Sequence, residues 1–472
     1  MVFSSILFLL IFLPIFLVVY TLSPKAFKNW WILFSSIVFY AWGAPIFIFI
    51  VLISTILDFY LVQQMHKTTE ARKKRYLLIL SICLNLGLLG YFKYANFFIE
   101  NANATLEAIG FDTITWTKVV LPIGISFYTF QTLTYSIDIY RGVHLPLKRL
   151  HNYLLYIMSF PQMIAGPIVR FNSVADQITS RKETVDDKLF GFYRFCIGLA
   201  KKVFIANVLG ELATTILETP IHQLGTLNAW VGILAYTFQI YFDFSGYSDM
   251  AIGLGRMIGF KFPENFNNPY NSRSITEFWR RWHITLGDWM KNYLYIPLGG
   301  NKVKSNYRLY LNLWLVFFLS GLWHGDSWNF ILWGVFHGIF LILDRLFLAK
   351  FLNRIGSIPS TIITFFIVMI GWTLFAIEDI NHCFSYFEVL FSFNPIGLMH
   401  IKSEYVFIGS IAMVISFIGI SKIGMKIQES IYAHTTNIWL QLPRAILSIL
   451  VFILACSSIA ASEFNPFIYF RF

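Results

Sequence analysis

The chain has 472 residues, of which 57% are apolar and 13% charged, whereas an ordinary soluble domain has about a quarter charged residues. This composition excludes a water-soluble enzyme, and the 50 Phe, 24 Tyr and 14 Trp exclude a disordered chain. The net charge of +11 is explained in so apolar a chain by basic cytoplasmic loops, and we expect no nucleic-acid partner. Since one spanning helix needs about 20 apolar residues, we expect an all-α polytopic membrane protein with roughly 11 transmembrane helices.

Basic loops near the start of the chain set the expected orientation. Lys25 and Lys28 form one such loop, and residues 67–75 carry five more basic side chains, so both loops should face the cytoplasm. The apolar stretch between them, residues 30–64, is about 52 Å long as one helix, against a bilayer core of about 30 Å. We therefore expect a hairpin that breaks at Gly43-Ala44-Pro45, which places the N-terminus outside.

Two later segments differ from plain spans. Residues 153–169 contain two prolines and a glycine between basic flanks, which favours a re-entrant or interfacial element that lines a cavity. The sequence FDFSGYSD at 242–249 adds Asp243 and Asp249 near the end of an apolar run. These carboxylates either line a pathway or mark a helix terminus.

A basic block lies between residues 256 and 308, with nine Lys or Arg against three acidic residues. Ser274 and Glu277 form a capping-box pattern that opens an interfacial helix carrying His283 and several aromatic residues. The basic side chains either belong to a positive-inside loop or form the entrance for an anionic cytosolic donor such as a nucleotide-linked thioester. In the second interpretation, three of them contact the donor phosphates: Arg280, Arg281 and Lys291.

A turn between two short apolar runs, 309–323 and 331–343, is the most informative feature. Each run is shorter than a bilayer core, so we expect a hairpin that turns within the membrane with His324 at its tip. An ionisable residue at membrane depth is costly without a partner or a water-filled cavity, which makes His324 the first catalytic candidate. His283 serves either packing or catalysis, whereas packing is the simpler explanation for His337.

Other chemistries lack their residue patterns in this sequence. It has neither a phosphate-binding loop nor a Gly-x-Ser-x-Gly nucleophile motif, and its histidines do not have the spacing typical of zinc sites. We therefore expect no metal and no permanently bound cofactor.

Seven motifs, in order along most of the chain, resemble the membrane-bound O-acyltransferase (MBOAT) family. The closest resemblance is to its bacterial branch of alginate O-acetylation, peptidoglycan O-acetylation and teichoic-acid D-alanylation proteins. The motifs are PIGISFYTFQ (122–131), FPQMIAGPIVR (160–170), YFDFSGYSD (241–249), NNPY (267–270), FWRRWHITL (278–286), YIPLGG (295–300) and GLWHG (321–325). Each is weak alone, and together they are specific.

The resemblance implies a ring of helices, with a cytoplasmic funnel for the acyl donor and an extracytoplasmic funnel for the acceptor. It implies a single domain over residues 1–472, with the catalytic core at 115–345. His324 matches the near-invariant catalytic histidine of the family, and His283 matches its second histidine, on the cytoplasmic side.

The C-terminal residues 463–472 resemble the aromatic motif of the bacterial branch, in which Tyr469 would carry the acyl group. Without the resemblance, they are an interfacial aromatic anchor. A phenol has a pKa near 10, so an acyl-accepting tyrosine needs a base at neutral pH, and His324 is the candidate.

The sequence therefore predicts an O-acetyltransferase of the bacterial cytoplasmic (inner) membrane. It moves acetyl from cytosolic acetyl-CoA toward an extracytoplasmic polysaccharide such as alginate or peptidoglycan, with His324 as general base and His283 orienting or polarising the donor. The resemblance also implies an extracytoplasmic partner, an esterase-like acetyltransferase of the Ser-Asp-His type. The rival interpretations are acylation of a lipid or protein acceptor, and a non-enzymatic transporter or flippase.

Overall fold

Proline, glycine and basic residues set where the helices of this chain begin and end. The computed structural model describes residues 1–395, 399–462 and 464–465, and the regular secondary structure in these ranges is helical throughout. The prediction of an all-α protein is confirmed.

The chain divides into two compact units, residues 1–188 with 254–263, and residues 189–253 with 264–472. The helices of the first unit follow a π-helical segment at Phe8–Phe12 and are α1 (Leu13–Leu22), α2 (Lys25–Gly43), α3 (Phe47–Lys67), α4 (Ala71–Ala108), α5 (Ile125–Tyr140), α6 (Leu150–Met158), α7 (Phe160–Met163) and α8 (Phe171–Thr179).

The first unit contains the expected N-terminal hairpin. α2 ends at Gly43 and α3 begins at Phe47, because Pro45 has no N–H to continue α2 and disfavours helical backbone in the residue before it. α4 runs for 38 residues, about 57 Å, well beyond a bilayer core of about 30 Å. The segment expected to be re-entrant forms α6 and α7, which are separated at Ser159 and pack against α2.

The remaining helices lie mainly in the second unit, although α9 begins and α11 ends in residues of the first. They are α9 (Val185–Ala200), α10 (Asn207–Leu217), α11 (Thr226–Met257), α12 (Ile275–Arg281), α13 (Ile284–Met290), α14 (Asn306–His324), α15 (Trp328–Leu343), α16 (Ala349–Ile355), α17 (Ser357–Ala376), α18 (Ile380–Phe391), α19 (Ser403–Phe417), α20 (Lys422–Tyr432) and α21 (Ile438–Ala461). Three π-helical segments lie between them, at Lys201–Ala206, Lys291–Tyr295 and Asp344–Leu348, and three short 3₁₀ turns, at Ile221–Gln223, Pro269–Asn271 and Ile418–Ile420.

α14 and α15 form a closely packed hairpin in the second unit. Gly321 of α14 and Gly334 of α15 face each other where the two helices meet, and a Cβ on Gly334 would lie 2.5 Å from the carbonyl oxygen of Phe317. No side chain fits at this crossing, so the two backbones are in direct contact and the tip of the hairpin is fixed.

The arms of this hairpin are longer than the sequence predicts. α14 has 19 residues, about 28 Å, and α15 continues through the π-helical segment at 344–348 into α16, which gives a helical stretch of 28 residues. The charged residue Asp344, expected at the membrane edge, instead stays helical and accepts a hydrogen bond from the N–H of Thr276. The second arm is therefore long enough to cross the membrane, contrary to the prediction, whereas α14, at about 28 Å, is still slightly shorter than a bilayer core of about 30 Å.

Six helical stretches among the described residues are long and apolar enough to span a membrane, which makes this a multi-pass membrane protein. They are Phe47–Lys67, Ala71–Ala108, Trp328–Ile355, Ser357–Ala376, Ser403–Ile420 and Ile438–Ala461. In the last two, only 11% and 17% of the most apolar 18-residue stretch is buried inside the protein, so most of their apolar side chains lie on its surface. The sequence predicts more spans, roughly 11; α5 and α9 are buried and apolar in part but have only 16 residues each.

Candidate active site

His324 is the last residue of α14 and lies inside the protein, with 4% of its surface exposed. Its imidazole meets three aromatic rings edge-on. The distances between ring centroids are 4.9 Å to Trp323, 5.0 Å to Trp333 of α15 and 5.3 Å to Phe375 of α17. The hairpin of α14 and α15 thus carries the histidine into an aromatic site at its tip.

His283 is also buried, at 1% exposure, but it does not lie on a continuous helix. The sequence predicts one helix opened by Ser274, whereas the structure has two, α12 and α13, with Trp282 and His283 between them. The helix break occurs because His283 has a φ of +44°, a left-handed conformation that costs a non-glycine residue about 1 kcal/mol or more. The predicted N-cap is confirmed, since the Ser274 hydroxyl oxygen accepts a hydrogen bond from the Glu277 N–H.

Trp323 contacts both histidines. Its ring centroid lies 4.9 Å from that of His324 and 6.3 Å from that of His283. His283 also meets Phe244 of α11 edge-on at 4.7 Å. The structure therefore brings the two histidines of the sequence prediction to one tryptophan.

Asn265, which the sequence analysis did not single out, holds His283 in place. Its Oδ1 accepts hydrogen bonds from the Thr285 N–H at 3.3 Å and the Thr285 hydroxyl at 2.8 Å, and lies 3.0 Å from Nδ1 of His283. Its Nδ2 donates to Oγ of Ser248 at 3.1 Å, and its backbone oxygen accepts from the Ile284 N–H at 2.9 Å. Burial lowers the pKa of His283 to about 3, so the ring is neutral at physiological pH.

A cavity of about 830 Å³ lies beside this hydrogen-bond network. Its wall includes Asn265 and Ser248, which bond each other, and Ile284, the residue after His283. The wall also includes Ser245, whose buried hydroxyl has no hydrogen-bond partner within the described ranges. The cavity has the size of a small-molecule binding site, and its wall reaches the residues that surround His283.

Buried charges line the same cavity. Asp249 of α11 pairs with Arg194 and with Lys201, each at 2.7 Å, and Arg194 also pairs with Glu264 at 2.6 Å. The guanidinium of Arg194 lies 4.3 Å from the ring centroid of Tyr432 of α20. Five basic and four acidic residues belong to the described wall, so it is highly charged without a strong excess of either sign.

One of the three residues predicted to contact donor phosphates, Arg281, lines this cavity. It pairs with Glu277 at 2.7 Å, and both side chains are about one third exposed. Arg280 and Lys291 are exposed and do not belong to the described part of the wall. Their contact with the donor stays a prediction.

The carboxylates of the FDFSGYSD sequence lie within α11, not at its end. Asp243 pairs with Lys202 at 2.7 Å, with only 2% and 3% of the two side chains exposed, and Asp249 lines the cavity. Of the two interpretations that the sequence left open, a helix terminus is excluded, because α11 continues to Met257.

A second cavity, of about 490 Å³, shares five lining residues with the first, namely Lys201, Tyr241, Asn268, Gln428 and Tyr432. The rest of its wall is formed mainly by apolar side chains of α9, α19 and α21. Because its wall is mainly apolar, this cavity is suited to hydrocarbon.

Two further residues of the sequence analysis are Tyr469 and His337. Tyr469 lies outside the described residues. His337 is fully buried, and its ring lies 4.9 Å from that of Trp279 and 5.0 Å from that of Trp333, which is the packing environment expected for it. Among residues 1–395, 399–462 and 464–465, no three His, Cys, Asp or Glu side chains are grouped closely enough to hold a metal ion.

Sequence reasoning missed the ion pairs that join the π-helical segment to α11. A signal for them exists, because two adjacent lysines in an apolar run, Lys201 and Lys202, precede two acidic residues in the next apolar run, and charges at membrane depth are paired. No comparable signal marks Asn265 or Tyr432, which lie in polar stretches where such residues are common.

Comparisons with known proteins place this geometry in context. The sequence model of MBOAT, the membrane-bound O-acyltransferase family, matches residues 144–377, which include both histidines. The chain is similar to the probable alginate O-acetylase AlgI of Pseudomonas aeruginosa, with 44% identity over 84% of this chain and 75% of that protein. It is 38% identical to AlgI of Azotobacter vinelandii over the full length of both. It is 35% identical to the peptidoglycan O-acetyltransferase of Helicobacter pylori, over 86% of this chain and 82% of that protein.

Proposed function

This chain belongs to the membrane-bound O-acyltransferase family, and from that premise we propose that it moves acetyl from cytosolic acetyl-CoA to an extracytoplasmic cell-envelope polysaccharide. It is an acyltransferase of the multi-pass membrane type. The names of its relatives, alginate O-acetylase and peptidoglycan O-acetyltransferase, support an envelope polymer as the acceptor. The observation that carries the proposal is the contact of His324 and His283 with Trp323, next to a charged cavity whose wall includes Asn265.

The chemistry needs one base and one path for the acyl group. His324 takes the proton of the attacking hydroxyl, whose oxygen forms a bond to the acetyl carbonyl carbon. The carbon–sulfur bond breaks, and the sulfur takes up a proton and leaves as the free thiol of CoA. The aromatic rings around His324 exclude bulk water, which limits hydrolysis of the thioester.

The cytosolic donor occupies the cavity of about 830 Å³. Arg281 contacts its phosphates from the wall, and Arg280 and Lys291 attract the polyanion from the exposed surface nearby. His283 orients the donor near the thioester. In this proposal the donor enters from the cytoplasmic side of an inner-membrane protein.

The acceptor hydroxyl belongs either to Tyr469 or to the final acceptor. In the first case the phenol of Tyr469 is acetylated with His324 as base, and an extracytoplasmic esterase-like acetyltransferase of the Ser-Asp-His type then takes the acetyl to the polysaccharide. Mass spectrometry of the C-terminal peptide after incubation with acetyl-CoA tests this step. One added acetyl mass is expected, which Tyr469→Phe abolishes; a peptide of unchanged mass in an active preparation contradicts it.

The main test measures thiol release from acetyl-CoA by the purified protein. His324→Ala should lower the rate by roughly 100-fold or more, the usual contribution of a general base. His222→Ala, at an exposed histidine in a 3₁₀ turn, is the matched control and should leave the rate unchanged. Equal rates for His324→Ala and wild type would contradict the acyltransfer mechanism and favour a transporter.

The second cavity favours one alternative acceptor, a lipid hydroxyl. Its apolar walls on α19 and α21 fit hydrocarbon chains, and it shares Tyr432 with the donor cavity. Radiolabelled acetyl followed into polysaccharide, lipid and protein fractions of the membrane separates the two acceptors. Label in the polysaccharide fraction is expected. Label confined to the lipid fraction would contradict the polysaccharide as acceptor and assign a lipid acceptor instead.

A further inference from the structure

Asn265 is the centre of the hydrogen bonds around His283. Its side-chain oxygen faces three possible donors, the N–H and hydroxyl of Thr285 and Nδ1 of His283, while its side-chain nitrogen faces Oγ of Ser248. Asn265 is 1% exposed, so water does not compete for these bonds. The orientation of its amide therefore decides whether Nδ1 of His283 carries a hydrogen.

The backbone N–H of Thr285 fixes that orientation. A backbone N–H can only donate, so the amide atom that faces it at 3.3 Å must be the oxygen, Oδ1. Rotating the amide by half a turn would bring two N–H donors together at Thr285, whereas the Ser248 hydroxyl can pair with either amide atom. Since the same Oδ1 lies 3.0 Å from Nδ1 of His283, Nδ1 carries the hydrogen and donates it.

A neutral imidazole has one hydrogen on its two nitrogens. With the hydrogen on Nδ1, Nε2 of His283 is a bare acceptor, and it is buried without a hydrogen-bond partner within the described ranges. The burial that lowers the pKa of His283 keeps the second proton off. In this state Nε2 can accept a hydrogen bond but has no hydrogen to donate.

We propose that Asn265 is a positioning residue that fixes His283 as a hydrogen-bond acceptor at Nε2, so that His283 receives an N–H of the bound donor and does not polarise its carbonyl. This rests on the proposed acyltransfer function. The pantetheine arm of an acetyl-CoA donor supplies amide N–H groups close to its thioester, and an acceptor at a fixed point selects one position of that arm. The left-handed φ of His283 holds the ring toward Asn265.

The first test reads the tautomer without any activity. Nitrogen NMR of the purified protein labelled at histidine should show His283, assigned by its loss in His283→Gln, with hydrogen on Nδ1 and a bare Nε2. A signal with hydrogen on Nε2 in the wild type overturns the proposal, whether or not the protein releases thiol. The tautomer assignment can therefore be refuted while the proposed function stands, and the proposed function can be refuted while the tautomer assignment stands.

The second test compares two replacements of His283. The amide oxygen of glutamine can occupy the position of Nε2, whereas asparagine reproduces only the position of Nδ1. We expect His283→Gln to retain at least tenfold more kcat/KM for the thioester than His283→Asn, with the difference in KM. The opposite order overturns the acceptor role.

The third test uses Asn265→Asp, which keeps the size and the oxygen that faces Nδ1. The new carboxylate would raise the pKa of His283, so the pH profile of kcat/KM should gain an acidic limb. The control is Asn267→Asp, which adds the same charge two residues away and should show no such limb. The other titratable groups around the network are Glu264 and Asp249, both paired with Arg194, and His324 beyond Trp323. The new limb must vanish in the double variant with His283→Gln; a limb that persists there contradicts the assignment to His283.

Discussion

Arg281 pairs with a carboxylate in the structure, and in the proposed mechanism it contacts a phosphate of the donor. It pairs with Glu277 four residues earlier on α12, and it lines the cavity that we propose for the donor. Both side chains are about one third exposed, so the pair itself contributes little to stability. The guanidinium is therefore available to a phosphate that binds in the cavity.

Arg281→Ala should raise the KM for acetyl-CoA about tenfold, the equivalent of one charge-assisted hydrogen bond of roughly 1.5 kcal/mol. Steady-state thiol release measures it, and the effect should shrink at high salt because exposed charges are screened. Arg280→Ala, one residue away and exposed outside the described wall, is the control and should change KM less. An equal change in both variants would indicate general attraction by surface charge instead of a contact from the wall.

At the scale of single residues, sequence reasoning reached His324 and His283 but not the geometry that joins them. A histidine at membrane depth stands out in any apolar sequence, whereas the contact of both rings with Trp323 depends on packing between distant helices. Asn265 was out of reach for a different reason. Its significance comes from the direction of its amide, and one asparagine in an asparagine-rich loop carries no sign of that direction.

Between elements, the hairpin of α14 and α15 controls where His324 lies. Because Gly321 and Gly334 let the backbones touch, the histidine at the end of α14 meets Trp333 of α15. Any side chain at the crossing forces the helices apart. The position of the His324 ring is therefore sensitive to a residue for which no contact with that ring is described.

Gly334→Val should lower both thiol release and the thermal unfolding temperature, since its Cβ would fall 2.5 Å from the carbonyl oxygen of Phe317. Overpacking of this kind costs about 1–3 kcal/mol. Gly87→Ala on α4 is the control, because no atom lies within 4 Å of the added Cβ, and it should leave both measurements unchanged. A Gly334→Val protein with wild-type unfolding temperature and rate would show that the crossing tolerates a side chain.

The buried pair of Lys202 and Asp243 joins the π-helical segment at 201–206 to α11. Asp243→Asn removes the carboxylate that compensates a buried ammonium and should destabilise the protein by about 3–5 kcal/mol. Thermal unfolding in detergent measures the loss. The double variant Lys202→Met with Asp243→Leu should recover most of it, because a well-packed apolar pair avoids the desolvation of two charges; a double variant no better than the single one would contradict this account.

At the scale of elements, the sequence predicts where a helix ends at a proline better than where a helix continues. Pro45 marks the end of the first hairpin arm correctly, because proline excludes helical hydrogen bonding locally. The interruption at His283 has no such marker, and the helical run through Asp344 and Arg345 continues where charged residues indicated an end. In both cases the deciding contacts, from Asn265 and from the Thr276 N–H, come from other parts of the chain.

Across the whole molecule, the basic loops predict the orientation of the chain in the membrane. The exposed Thr69 lies in the loop before α4 and the exposed Thr113 lies after it, so the two positions should be on opposite sides of the bilayer. In a protein whose four cysteines are replaced, Thr113→Cys should react with a membrane-impermeant maleimide in intact cells. Thr69→Cys should react only after permeabilisation, and the reverse pattern would invert the predicted orientation.

Composition alone predicts the class of the molecule, an all-helical membrane protein, because 13% charged residues cannot cover a soluble surface of this size. The number of spans is less accessible. Helices such as α5 have 16 residues and are almost fully buried, so their apolar character reflects contact with other helices as much as with lipid. Hydropathy does not distinguish these two environments.

The cavity of about 830 Å³ is closed on one side by α20, which supplies Gln428 and Tyr432. This helix lies beyond residue 377, where the family match ends. The other side of the cavity, with Asn265 and Arg281, belongs to the matched region. The cavity is therefore built partly from the region that the family model matches and partly from a helix beyond it. Substitutions on α20 can therefore change the shape of the cavity while the residues around both histidines stay as they are.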